Sequence, residues 1–194
     1  MKKFMAFFKE HSSLIVNFWI NQVVWSVVGL MISWPLSMIL DENKNYSLYM
    51  WLVLVFTAGI FCFRVYDMLN QFGLKFSIRK NNPAYTSESI PSDSFGLKIA
   101  LIGYAPTILL VLLYAIFFLV GFDGGTPVMV SILYIVPVHS FYNAGFLALS
   151  GVAEGWRLLY TVLSLAPAIV FCWLGYYLGV RDKGVIAREK ASKE

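Results

Sequence analysis

Over most of this chain apolar positions do not alternate with polar ones. They run together in long uncharged stretches, separated by short clusters of charge. Residues 12–40 and 46–63 contain no Asp, Glu, Lys or Arg, and residues 97–121 contain only Lys98, near their start. Segments 127–150 and 158–180 are again free of charge. A helix rises about 1.5 Å per residue and the hydrocarbon core of a bilayer is about 30 Å thick, so stretches of this length predict membrane-spanning helices. The expected fold class is all-α: a polytopic integral membrane helix bundle forming a single membrane domain over residues 1–194.

Two segments keep a helical period without that apolar length. In residues 2–11, Phe4, Phe7, Phe8 and His11 recur at helical spacing while Lys2, Lys3 and Lys9 lie elsewhere on the wheel. This predicts a short helix lying at the membrane surface. The apolar run after Lys3 is too short for a secretory signal and no small-residue cleavage site follows it, so the N-terminus is expected to be retained. In residues 64–80, Asp67, Gln71, Lys75 and Arg79 step by four along one face, while Val65, Leu69, Phe72 and Phe76 line another. That pattern predicts that the second span leaves the membrane and continues as an amphipathic surface helix, with Gly73 as a bend. Arg64 and Asp67, one turn apart, are expected to form an ion pair at the boundary. Lys75, Arg79 and Lys80 are expected to face anionic lipid headgroups or an acidic partner. Asn81-Asn82-Pro83 then stops the helix, and residues 81–96 form a Ser- and Pro-containing cytoplasmic loop.

Within the spans the informative residues are polar or small. Gln22, Ser26, Gly29 and Ser33 recur every three or four residues in the first span, with Asn21 beside them. They predict a seam that faces other helices, where amides find partners and backbones approach closely. Gly175 and Gly179 in the last span, 156–180, have the same small-residue spacing. Pro106 lies in the third span, where Tyr104 and Thr107 are expected to satisfy the backbone groups it frees. The fourth apolar segment, 127–150, is interrupted by Pro137 and carries His139, Ser140, Tyr142 and Asn143. Proline removes a backbone donor and pushes the residue before it away from helical angles. This group is the candidate polar site within the membrane.

Charge decides how that broken segment runs. Lys and Arg cluster in the N-terminus, in the stretch after the second span and in the tail 181–194, and the positive-inside bias puts all three on the cytoplasmic face. Two spans separate the first cluster from the second, as this requires. Three apolar segments separate the second from the third, and one of them must fail to cross. The expected architecture is therefore four full spans plus one broken or re-entrant segment at 127–150, with five full spans and an external tail as the alternative.

Composition agrees with a membrane protein. The chain is 59% hydrophobic and 13% charged, against about 45–50% and 25% for a soluble domain. Its net charge of +4 is placed as topology control, so no nucleic acid is expected as a partner. Cys62 and Cys172, each within an apolar run, are expected to be free buried thiols. No catalytic motif, metal-ligand spacing or cofactor-binding pattern is present, so no catalytic residue, metal or cofactor is assigned. Two functional readings follow. One is a small non-catalytic accessory or assembly subunit of a larger membrane complex or homo-oligomer, with the bilayer and a membrane protein as its partners. The alternative is a small channel or transporter with a polar site at the Pro137 break.

Overall fold

A computed structural model describes residues 2–40, 45–81, 94–121, 125–135 and 139–181; these are 92% helical and contain no strand. Helix α1 (Lys2–Glu10) leads through a turn at His11 into α2 (Ser12–Leu40), and α3 (Tyr46–Asn81) and α4 (Phe95–Val120) follow. Four short pieces come next: α5 (Gly125–Val130), a π-helical turn (Ser131–Ile135), a 3-10 turn (Ser140–Tyr142) and α6 (Asn143–Ala148). Helices α7 (Glu154–Leu163) and α8 (Ala166–Arg181) complete the chain. Ser12–Leu40, Tyr46–Ile78, Phe95–Val120 and Glu154–Arg181 are long and apolar enough to cross a membrane, so the protein is an integral membrane helix bundle.

Ring packing fixes which helix ends lie together. Phe7 of α1 and the adjoining His11 meet Phe95 at the start of α4. Phe95 stacks on Phe72 in the second half of α3 at 5.3 Å and packs against Tyr176 near the end of α8. The beginning of α2, the second half of α3, the beginning of α4 and the end of α8 therefore share one end of the bundle, called here the basic end. At the other end, the far end, Leu36 and Leu40 of α2 pack with Met50 of α3 and Ala148 of α6.

Three prolines act differently because their neighbours do. Pro35 and Pro106 sit inside α2 and α4 without ending them. Next to Pro106, α2 supplies the donors: Trp19 Nε1 bonds to Gly103 O at 2.9 Å and Gln22 Nε2 to Thr107 Oγ1 at 2.5 Å. Neither residue takes the expected part: the Thr107 hydroxyl accepts from the Gln22 side chain rather than serving the backbone, and the Tyr104 hydroxyl is buried without a hydrogen-bond partner among the described residues. Pro167, the second residue of α8, follows a real break. The last span is two helices joined by a turn at Ser164 and Leu165, because a proline suits the first turn of a new helix.

Helix α3 differs from the expected span plus surface helix. It is one helix of 36 residues, about 54 Å long, and Gly73 is not a bend but a contact point: a Cβ there would lie 2.8 Å from Tyr176 O. The apolar face predicted to lie on lipid is covered by protein instead, with Val65 and Leu69 fully buried and Phe72 stacked on Phe95. Arg64 and Asp67 do not pair. Arg64 is exposed, and Asp67 accepts a hydrogen bond from Gln71 Nε2 at 2.9 Å, since Gln71 one turn on is an equally close neighbour with a shorter reach to make.

The broken segment forms a re-entrant hairpin. Helix α4 ends at Gly121, whose left-handed backbone (φ 69°) lets its N–H cap the carbonyls of Phe117 and Phe118 at the far end. Helix α5 and the π turn run inward from there. Across the tip, His139 N–H donates to Leu133 O at 3.1 Å. The 3-10 turn and α6 lead back until Ala148 O accepts from Ser47 Oγ, at the start of α3, at 3.2 Å. The segment thus starts and finishes at the far end, leaving four spans. Pro137 lies outside the described residues.

Candidate functional site

The buried polar groups gather where the hairpin tip meets the middle of the bundle. α2 approaches through Gly29, which has no side chain to hold it off: a Cβ there would lie 2.5 Å from Phe141 Cα and 2.7 Å from Ser140 O. One turn on, Ser33 Oγ accepts from Asn143 Nδ2 at 2.9 Å. From α3, Thr57 Oγ1 donates to Phe141 O at 2.7 Å. From α7, Tyr160 OH donates to Tyr142 O at 2.7 Å. Tyr142 OH in turn lies 3.8 Å from Cys62 Sγ on α3.

His139 and Ser164 join the two breaks in the chain. His139 Nε2 lies 2.7 Å from Ser164 Oγ, and both residues are buried. The single hydroxyl proton of Ser164 goes to Thr161 O at 2.8 Å, one turn back in α7. Ser164 Oγ is then the acceptor and His139 Nε2 the donor, which assigns the imidazole tautomer. An activated serine needs the opposite polarity, with the imidazole accepting the hydroxyl proton. Aromatic rings enclose the imidazole: Tyr142 at 4.8 Å, Phe141 at 5.3 Å and Tyr104 at 6.3 Å between centroids. Phe141 stacks on Phe61 of α3 at 4.1 Å.

The site is therefore built of hydroxyls, an amide and an imidazole without a formal charge, contributed by α2, α3, the hairpin and α7 with the turn after it. Its hydrogen bonds run to backbone carbonyls of the hairpin and to the side chains that hold it. In a medium without water, irregular backbone persists only when protein groups satisfy it, and these groups do so. Among the described residues no cluster of three or more His, Cys, Asp or Glu could hold a metal.

The residues predicted from the sequence to form a site, a seam or a headgroup contact do not all come together. His139, Ser140, Tyr142 and Asn143 are all buried at the tip, and Gln22, Ser26, Gly29 and Ser33 form the buried edge of α2 facing the tip and α4. Ser26 Oγ is buried there with no hydrogen-bond partner among the described residues. Asn21 is off this edge, its Nδ2 donating to Asn17 O of its own helix at 2.8 Å. Gly175 and Gly179 lie at the α3–α8 crossing, against Tyr66 O and Asn70 O. Lys75 is exposed at the basic end, away from the tip; the side chains of Arg79 and Lys80 lie outside the described residues.

Thr57, Tyr160, Thr161 and Ser164 belong to the site and were not singled out in the sequence. Each is one hydroxyl in an apolar run, a common occurrence that carries no pairing information. Ser164, three residues before Pro167, has the one usable signal, since a helix break frees side chains near it for contacts elsewhere. No protein-family model, curated protein or solved structure matches the chain.

Proposed function

We propose that this chain is a small non-catalytic multi-pass membrane protein that serves as an accessory or assembly subunit of a larger membrane complex or of a homo-oligomer, with its N-terminus and tail on the cytoplasmic face. The direction of the buried hydrogen bonds carries this reading. A solute path around the Pro137 break needs His139 and Asn143 to face a wet passage; instead His139 bonds to Ser164 inside an aromatic shell, and Asn143, also buried, bonds to Ser33. These two bonds, with those from Thr57 and Tyr160, tie the hairpin to the bundle. The orientation rests on Lys9, Lys75 and Arg181 sharing the basic end, which the positive-inside bias directs to the cytoplasm.

Helix α2 has the surface such a subunit would present. Only 17% of its apolar stretch is buried, against 39% in α3 and in α4. Met31, Trp34 and Met38 project from its far half, on the side away from the Gly29–Ser33 edge. Partner contact is expected along this face, with lipid covering it when the chain is alone.

Two measurements test the proposal together. Met31→Cys in a background of Cys62→Ala and Cys172→Ala should form a cross-linked species of defined size in native membranes, whereas Leu112→Cys on α4 should not. Liposomes holding the purified chain should show no solute flux above empty ones. Saturable flux that disappears in His139→Ala and Asn143→Ala variants that still fold would overturn the proposal in favour of transport.

A further inference from the structure

A groove at the basic end joins parts of the chain that the hairpin does not involve. Glu10, His11, Ser13, Leu14 and Asn17, from the α1–α2 junction, form one wall, and Met68, Gln71, Phe72 and Lys75 of α3 form the other. Its volume of about 330 Å³ is at the small end of the roughly 300–1,000 Å³ typical of ligand sites. The floor is apolar, with Leu14 buried and Met68 and Phe72 half-buried. The rim carries a carboxylate, an ammonium and two amides. Lys75 has no hydrogen-bond or ion-pair partner among the described residues. Among the described residues Glu10 has only His11, 3.9 Å away and already packed against Phe7 and Phe95.

The groove's depth in the membrane limits its occupant. It sits where the uncharged run of α2 begins and where α3 turns from apolar to charged, the level of lipid headgroups. Two rim side chains, Lys75 and Glu10, carry formal charges of opposite sign. A purely anionic headgroup would satisfy Lys75 and oppose Glu10, while one carrying both a phosphodiester and an ammonium matches both. We propose that this groove binds the headgroup of a zwitterionic amine-bearing phospholipid, its phosphate at Lys75, its ammonium at Glu10 and its glycerol end over Leu14, Met68 and Phe72. This is independent of the subunit reading, because it concerns the opposite end of α2 from the partner surface.

The test is a lipid titration of the delipidated, detergent-purified full chain followed by native mass spectrometry, with dioleoyl phosphatidylethanolamine and dioleoyl phosphatidylglycerol as probes. The wild-type chain should retain phosphatidylethanolamine in preference to phosphatidylglycerol. Lys75→Ala should weaken both by about fivefold, the worth of one basic side chain near a lipid surface. Glu10→Gln should remove the preference and leave phosphatidylglycerol binding intact, while Glu154→Gln at the far end should change nothing. Both rim side chains are exposed, so the variants are expected to fold. Equal retention of the two lipids by the wild type, retention of neither, or binding unchanged in Lys75→Ala would overturn the proposal. Displacement of the lipid by millimolar O-phosphoethanolamine would overturn it too, by showing a site for a soluble phosphate.

Discussion

Thr57 and Tyr160 each donate a hydroxyl proton to a carbonyl of the hairpin, and each is one atom away from a residue that cannot. Thr57→Val and Tyr160→Phe keep the shape and delete the bond. Each should destabilise the fold by about 0.5–2 kcal/mol, the range for such bonds between membrane helices and for stranded buried carbonyls. A shift of the reversible unfolding midpoint in mixed detergent micelles is the measurement. His139→Ala removes both the bond to Ser164 and a ring packed among aromatics, so its loss should be larger, about 2–5 kcal/mol. At this scale the sequence made half of the site legible. A proline, a histidine and an asparagine in an uncharged run stand out because lipid makes polar groups conspicuous. Their partners were not legible: Asn143 bonds to a residue 110 positions away and His139 to one 25 away, and nothing in a lone serine names its partner.

Among the elements, the contact of α3 with α8 shows what glycine does in this fold. Gly175 and Gly179 bring α8 onto the α3 backbone at Tyr66 and Asn70, Asn70 Nδ2 donates to Gly175 O at 3.2 Å, and Gly73 answers from the α3 side. A methyl at Gly175 or Gly179 would meet a backbone oxygen that cannot move without the helix. Gly175→Ala and Gly179→Ala should therefore each cost about 1–3 kcal/mol. Gly59, in the same α3, has nothing within 4 Å of a built Cβ. Gly59→Ala should stabilise by up to about 1 kcal/mol through helix propensity alone, and thermal unfolding of the three variants in one detergent separates the two effects. The small-residue spacing was readable because close helix approach leaves few alternatives. The fate of residues 64–80 was not. An apolar stripe at helical spacing looks the same whether it will lie on lipid or be covered by α8 and by Phe95 of α4, and here the second happens.

At the scale of the whole molecule, charge and interruption together account for the architecture. The basic clusters demand an even number of crossings between the second and third of them, and residues 127–150 are the stretch least able to cross, being broken and polar at the centre. The fold meets this with a hairpin that starts beside the end of α4 and finishes at the start of α3, leaving the ends of α1 and α8 together. The bundle can afford such a hairpin because α2, α3 and α7 each contribute a donor, an acceptor or a missing side chain at its tip. Periodicity cannot reveal this, since the cavity that accepts the tip exists only once three separate spans have packed. The most direct measurement of the account is the sidedness of Glu154, compared with Asn45 and Lys9. Single cysteines are placed at each position in a Cys62→Ala, Cys172→Ala background and labelled in sealed right-side-out vesicles with a membrane-impermeant maleimide. The re-entrant architecture predicts that the cysteines at 154 and 45 react from the same face while the one at 9 is protected. Labelling of 154 together with 9, opposite to 45, would mean that residues 127–150 cross the membrane and would contradict it.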